Sequence, residues 1–128
     1  MKLLALAAMA FTIAAPIKTV ELTIVHALHG CHVWQSAHAA GPTAVVRLPR
    51  GGRIRLRVSC PMDFRLVKLR GPAVALGDPT FHTGTSRTIV FPRRGTYVLS
   101  ATNLQSSEQM GLQTLGPDNT LKLTVVVS

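Results

Sequence analysis

Residues 43 to 58 read Thr-Ala-Val-Val-Arg-Leu-Pro-Arg-Gly-Gly-Arg-Ile-Arg-Leu-Arg-Val, and the reading of this stretch decides the fold. Its second half alternates strictly, Arg53, Arg55 and Arg57 against Ile54, Leu56 and Val58, which is the period of a strand with one wet and one buried face. Its first half, Thr43 to Leu48, is apolar and β-branched. Between them Pro49-Arg50-Gly51-Gly52 has turn chemistry, with Pro setting φ at the first corner and Gly supplying a positive φ. Two strands joined antiparallel by a tight turn are expected.

The pattern repeats on both sides. Val20, Leu22, Ile24 and His26 alternate with Thr19, Glu21, Thr23 and Val25. Further apolar runs occupy Phe64 to Leu69, Thr88 to Phe91, Thr96 to Ala101 and Leu121 to Val127, and Pro92-Arg93-Arg94-Gly95 repeats the turn signature. Seven short strands without βαβ alternation predict an all-β, seven-stranded Greek-key β-sandwich. Two connections are long, Ala27 to Pro42 and Asn103 to Asn119, and long connections in a compact domain usually carry function.

A chain of 128 residues bounds the protein to one small domain, and 47% hydrophobic against 15% charged residues excludes intrinsic disorder. The net charge of +9 suggests an acidic partner or surface, yet one Trp, one Tyr and four Phe leave few platforms for stacked bases, so nucleic acid is disfavoured. Met1 and Lys2 precede an apolar run, Leu3 to Ala15, broken only by Thr12 and followed by Pro16. This predicts a secretory signal peptide over 1–15 and a domain over 16–128, because a membrane-crossing helix needs about 20 apolar residues. Export to the periplasm or beyond and a monomeric state are expected, with an uncleaved anchor as the alternative.

Strand direction decides which loops meet. With the turns at 49–52 and 92–95 at one pole, Cys60, Met62 and His82 fall at the other. If the first strand runs parallel to residues 53–59, then His26, His29, Cys31 and His32 join them, together with Met110 of the long last loop. Imidazole, thiolate and thioether groups are the donors that suit copper, and Cys31, His32, His26, His29, Met110 and Met62 are the candidate ligands. Each also has a plainer reading. Cys31 and Cys60 could form a disulfide, His26 a hydrogen-bonded core imidazole, Met62 and Met110 gap-fillers, and Trp34 an aromatic packed over the rim. His38 and His82 read as exposed loop residues.

Over Lys18 to Val127 the chain resembles the cupredoxin superfamily, small exported copper-binding β-sandwiches. The likeness rests on the strand order, a Gly52 to Leu69 hairpin with the local pattern Arg65-Leu66-Val67-Lys68, the Gly95-Thr96-Tyr97 opening of the penultimate strand, and the closing run Leu121 to Val127. It implies copper as cofactor, serving one-electron transfer or copper holding and delivery, with an acidic redox or copper-exchange partner. The usual ligands are replaced: Phe64 stands where a His is expected, and the last loop offers Met110 without Cys or His. The element His26-Ala-Leu-His29-Gly30-Cys31-His32-Val-Trp34 would then carry the site. No nucleophile elbow, zinc-protease motif or phosphate-cradling loop occurs, so a non-enzyme is expected. The alternative is a metal-free, disulfide-stapled module whose Arg53, Arg55 and Arg57 face binds an acidic partner or anionic head groups. That face could equally be plain solvated surface.

Overall fold

The computed structural model describes residues 18–26, 32–37, 40–60, 62–104 and 120–128. Ten strands run through them: β1 (Thr19–His26), β2 (His32–Gln35), β3 (Ala40–Gly41), β4 (Thr43–Leu48), β5 (Gly52–Val58), β6 (Phe64–Arg70), β7 (Thr80–Phe81), β8 (Ser86–Phe91), β9 (Gly95–Asn103) and β10 (Thr120–Val127). They form two five-stranded sheets, ordered β3-β2-β1-β5-β8 and β4-β10-β9-β6-β7. The seven expected strands are all present. The added three are short, two to four residues each, and lie in segments read as loops. Such strands exist because a neighbour offers a free edge, as β1 does to β2 and β6 to β7, and so they leave little periodic trace in sequence.

Alternation is realised as expected on β5, where Ile54, Leu56 and Val58 are buried while Arg53, Arg55 and Arg57 face solvent. Leu22, Ile24, Phe64, Leu66, Ile89, Phe91, Leu99, Leu121, Leu123 and Val125 fill the space between the sheets from both sides. β9 is the exception. Tyr97 to Ala101 are all buried, so both faces of this strand are covered there, unlike β10 beside it, which alternates.

Three expected hairpins are corrected. The turn at 49–52 has the expected geometry, with φ of 83° at Gly51 and the Gly52 N–H donating to the Pro49 carbonyl at 2.8 Å. However, β4 and β5 belong to different sheets, so this turn is a corner between sheets. The same holds for 92–95 between β8 and β9, and for the supposed Gly52 to Leu69 hairpin, whose halves β5 and β6 also lie in opposite sheets. Turn chemistry reports local chain reversal and cannot say whether the two arms pair with each other or with strands far away in sequence. The two corners do share a pole, joined by a Gly51 N–H bond of 2.9 Å to the Phe91 carbonyl. Tyr97 braces the second corner: its hydroxyl donates to the Arg93 carbonyl at 2.6 Å and accepts from the Arg93 N–H at 3.2 Å, while its ring meets Phe91 edge-on at 5.0 Å.

Candidate functional site: the histidine pole

β1 pairs with β5 in parallel, Thr19 opposite Arg53 through Ile24 opposite Val58, and the Ser59 N–H continues the ladder to the Ile24 carbonyl at 3.0 Å. The end of β1 therefore stands beside Cys60, at the pole away from the two corners. β2 then returns antiparallel, and its register sets His32 directly opposite His26. Positions so opposed are those whose Cβ atoms come within about 4.5–5.5 Å in an antiparallel ladder. His26 is exposed, which corrects its reading as a core imidazole: the inward alternation of Leu22 and Ile24 stops one step short of the strand end, where the opposite sheet no longer covers it.

Below this rim lies a sulfur pair of different character. Cys60 is a free thiol, buried, donating to the Met62 carbonyl at 3.8 Å. Burial pushes its thiol pKa up, so the neutral form dominates. Met62 is buried too, with its sulfur accepting from the Asn103 amide at 2.8 Å. The alternative, a bridge from Cys60 to Cys31, is thus not formed at Cys60, and Cys31 itself lies outside the described residues, as do His29, His38 and Met110.

Next to the sulfur pair, Asp63 organises the loop before β8. One carboxylate oxygen accepts from the Thr83 N–H at 2.9 Å and the other pairs with His82 Nδ1 at 3.1 Å, while the Asp63 carbonyl accepts from the Leu104 N–H at 3.0 Å. The Thr83 amide, with a smaller contribution from His82, holds the carboxyl below its usual pKa. The Thr83 hydroxyl also donates to the Cys60 carbonyl. Thr83 was not legible in the sequence, since nothing local distinguishes it from the other Thr and Ser residues of that loop. His82 is exposed as expected, though paired with Asp63.

Trp34 is corrected from rim aromatic to core. It is 1% exposed on β2, and its indole N–H donates across to the Lys122 carbonyl of β10 at 3.0 Å, tying one sheet to the other. It also floors a cavity of about 730 Å³ on the flank between β1 and β4, lined by Val20, Leu22, Ala40, Ala44 and Val46. Among the described residues no His or Cys lines that cavity.

No protein-family model matches the sequence, and no curated protein does. Among solved structures the chain is similar to a purple cupredoxin from Nitrosopumilus maritimus, with a TM-score of 0.46 and 15% identity over 85% of this chain and 99% of that one. It is similar to dithionite-reduced auracyanin from Roseiflexus castenholzii at TM-score 0.44 and 16% identity, covering 89% of this chain and 99% of that one. The all-β, two-sheet sandwich itself stands on this chain's own strand pairing. At such identities the likeness concerns fold alone, and a cysteine protease inhibitor from Entamoeba histolytica is matched as well, at TM-score 0.46 and 14% identity over 90% of this chain and 100% of that one. One architecture serves unrelated chemistries, so function has to be argued from this chain's own residues.

Copper fits the pole by donor type. Imidazole positions His26 and His32 face one another across a ladder, with sulfur donors nearby in sequence and few hard carboxylates to favour magnesium or calcium. Among the described residues no three His, Cys, Asp or Glu side chains gather as a complete site. The connections 27–31 and 105–119, which hold His29, Cys31 and Met110, lie outside the described residues.

Proposed function

We propose that this domain is an exported, non-catalytic copper-binding protein that holds copper at the histidine pole for delivery or one-electron transfer. The observation that carries the reading is the combination of the parallel β1–β5 ladder with the His26–His32 register, which brings two imidazole positions together beside the connection containing His29 and Cys31. Bound copper would supply one-electron redox chemistry or an exchangeable soft cation. The protein's share is to present imidazole donors from a rigid ladder, with Cys31 as thiolate donor and Met110 as thioether donor. Cys60 and Met62 contribute the packed floor beneath, the first kept protonated by burial and the second engaged by Asn103. Delivery is favoured over electron transfer because His26 is exposed at a strand end, where an incoming partner can reach the metal.

The test is copper retention. Protein loaded with copper and passed through gel filtration should keep the metal, and His26→Ala, His32→Ala and Cys31→Ser should each lower affinity at least ten- to a hundred-fold, since even outer-shell partners of a metal are worth that much. His38→Ala should change nothing. Equal losses from all four variants, or no copper retained by the parent, would leave the metal-free interaction module as the better account.

A further inference from the structure

The pole opposite the histidines carries an unusual charge distribution, independent of any metal. Lys18 enters β1 there, its carbonyl accepting from the Arg53 N–H at 2.9 Å. Arg50 sits on the 49–52 corner, Arg93 and Arg94 on the 92–95 corner, and the two corners are joined through the Gly51 bond to Phe91. Arg70 ends β6 beside them: the next residue, Gly71, has φ of 115° and lies so close to Thr96 and Tyr97 that a Cβ would come within 2.6 Å of the Thr96 carbonyl. All six cationic side chains are exposed.

The described acidic residues lie elsewhere. Glu21 is opposite Arg55, part-way along the ladder, Asp63 is at the histidine pole, and Asp78 is beside Arg87 in the segment before β7. Two exposed apolar side chains flank the basic pole, Leu69 at 53% and Val90 at 44% exposure, Val90 being the register partner of Arg53.

We infer that this pole docks on an anionic lipid surface. The cationic side chains come from four separate segments at one end of the domain, an arrangement that meets a plane of head groups, with Leu69 and Val90 beside them. Lys18, the first described residue, also enters the domain at this pole. Cations near an anionic bilayer each contribute enough to change binding about five-fold, within a range set by the Debye length of about 10 Å at 0.1 M salt.

The test is sedimentation of the full chain with vesicles of phosphatidylcholine alone or with phosphatidylglycerol added. Any apolar contribution is common to both kinds of vesicle, so the ratio of the two partition coefficients isolates the charged pole. That ratio should fall about a hundred-fold in Arg50→Ser/Arg93→Ser/Arg94→Ser and collapse toward unity in high salt. The triple variant Arg55→Ser/Arg57→Ser/Arg65→Ser removes equal charge away from the pole and should leave most of the preference. Equal losses in both triples, no preference for anionic vesicles, or full competition by soluble polyglutamate at matched charge would overturn the inference, the last pointing to an acidic protein partner. Copper loading plays no part in this readout, so its outcome is separate from that of the metal reading.

Discussion

Arg87 offers the sharpest test of how the open side of the sandwich is closed. From β8, at the edge of one sheet, its guanidinium reaches the segment leading into β7, at the edge of the other. It donates to the Leu76 carbonyl at 2.8 Å and the Asp78 carbonyl at 2.6 Å, more weakly to the Thr80 carbonyl at 3.4 Å, and lies 4.8 Å above the Phe81 ring. In Arg87→Met the stem is kept and the fork is lost. Two short charge-assisted bonds contribute about 1.5 kcal/mol each at the low end of their range, which applies because the carbonyls can still reach water. The cation over the ring adds about 0.5 kcal/mol. The expected loss is therefore about 3.5 kcal/mol, or roughly 14 °C in Tm for a domain of this size. Thermal unfolding followed by Trp34 fluorescence measures it, and limited proteolysis should find new cleavage within 71–79. Arg87→Lys should fall between parent and Met variant, since a lysine keeps the charge but loses the planar fork that reaches the Leu76, Asp78 and Thr80 carbonyls together. A Tm change under about 3 °C with unchanged proteolysis would refute the assigned role.

Tyr97→Phe removes the hydroxyl that both donates to and accepts from Arg93, and should cost about 1–3 kcal/mol by leaving that corner's polar groups without their partner, measurable by urea denaturation. Asp63 has a folded-state pKa held below its unfolded value, so its contribution is present above about pH 4 and is lost as pH falls through the folded value. Asp63→Asn should accordingly flatten the fall in Tm between pH 5 and pH 3; an unchanged slope would mean that another group drives acid unfolding. In a Cys31→Ser background, Cys60 should resist iodoacetamide in the native protein and react promptly once unfolded, because burial keeps its thiol neutral and covered.

Period-two alternation determined a great deal by itself. Seven strands, two sheets around one core, the outward row Arg53, Arg55, Arg57 and the placement of both Pro-Gly turns at one pole were all legible, because a strand with one buried face writes its environment into every second residue. The copper-type donor set was visible as residue types, with no means of telling an exposed imidazole such as His26 from a buried thioether such as Met62. What only the tertiary structure decided was pairing at a distance. The parallel partnership of β1 with β5, the facing of His26 and His32, the indole bond from Trp34 to Lys122 and the switch of sheet at each corner all depend on partners up to 88 residues apart. A strand's hydrogen-bonding edges are backbone groups common to all residues, so the side-chain sequence specifies which face is buried far more strongly than it specifies which neighbour lies alongside.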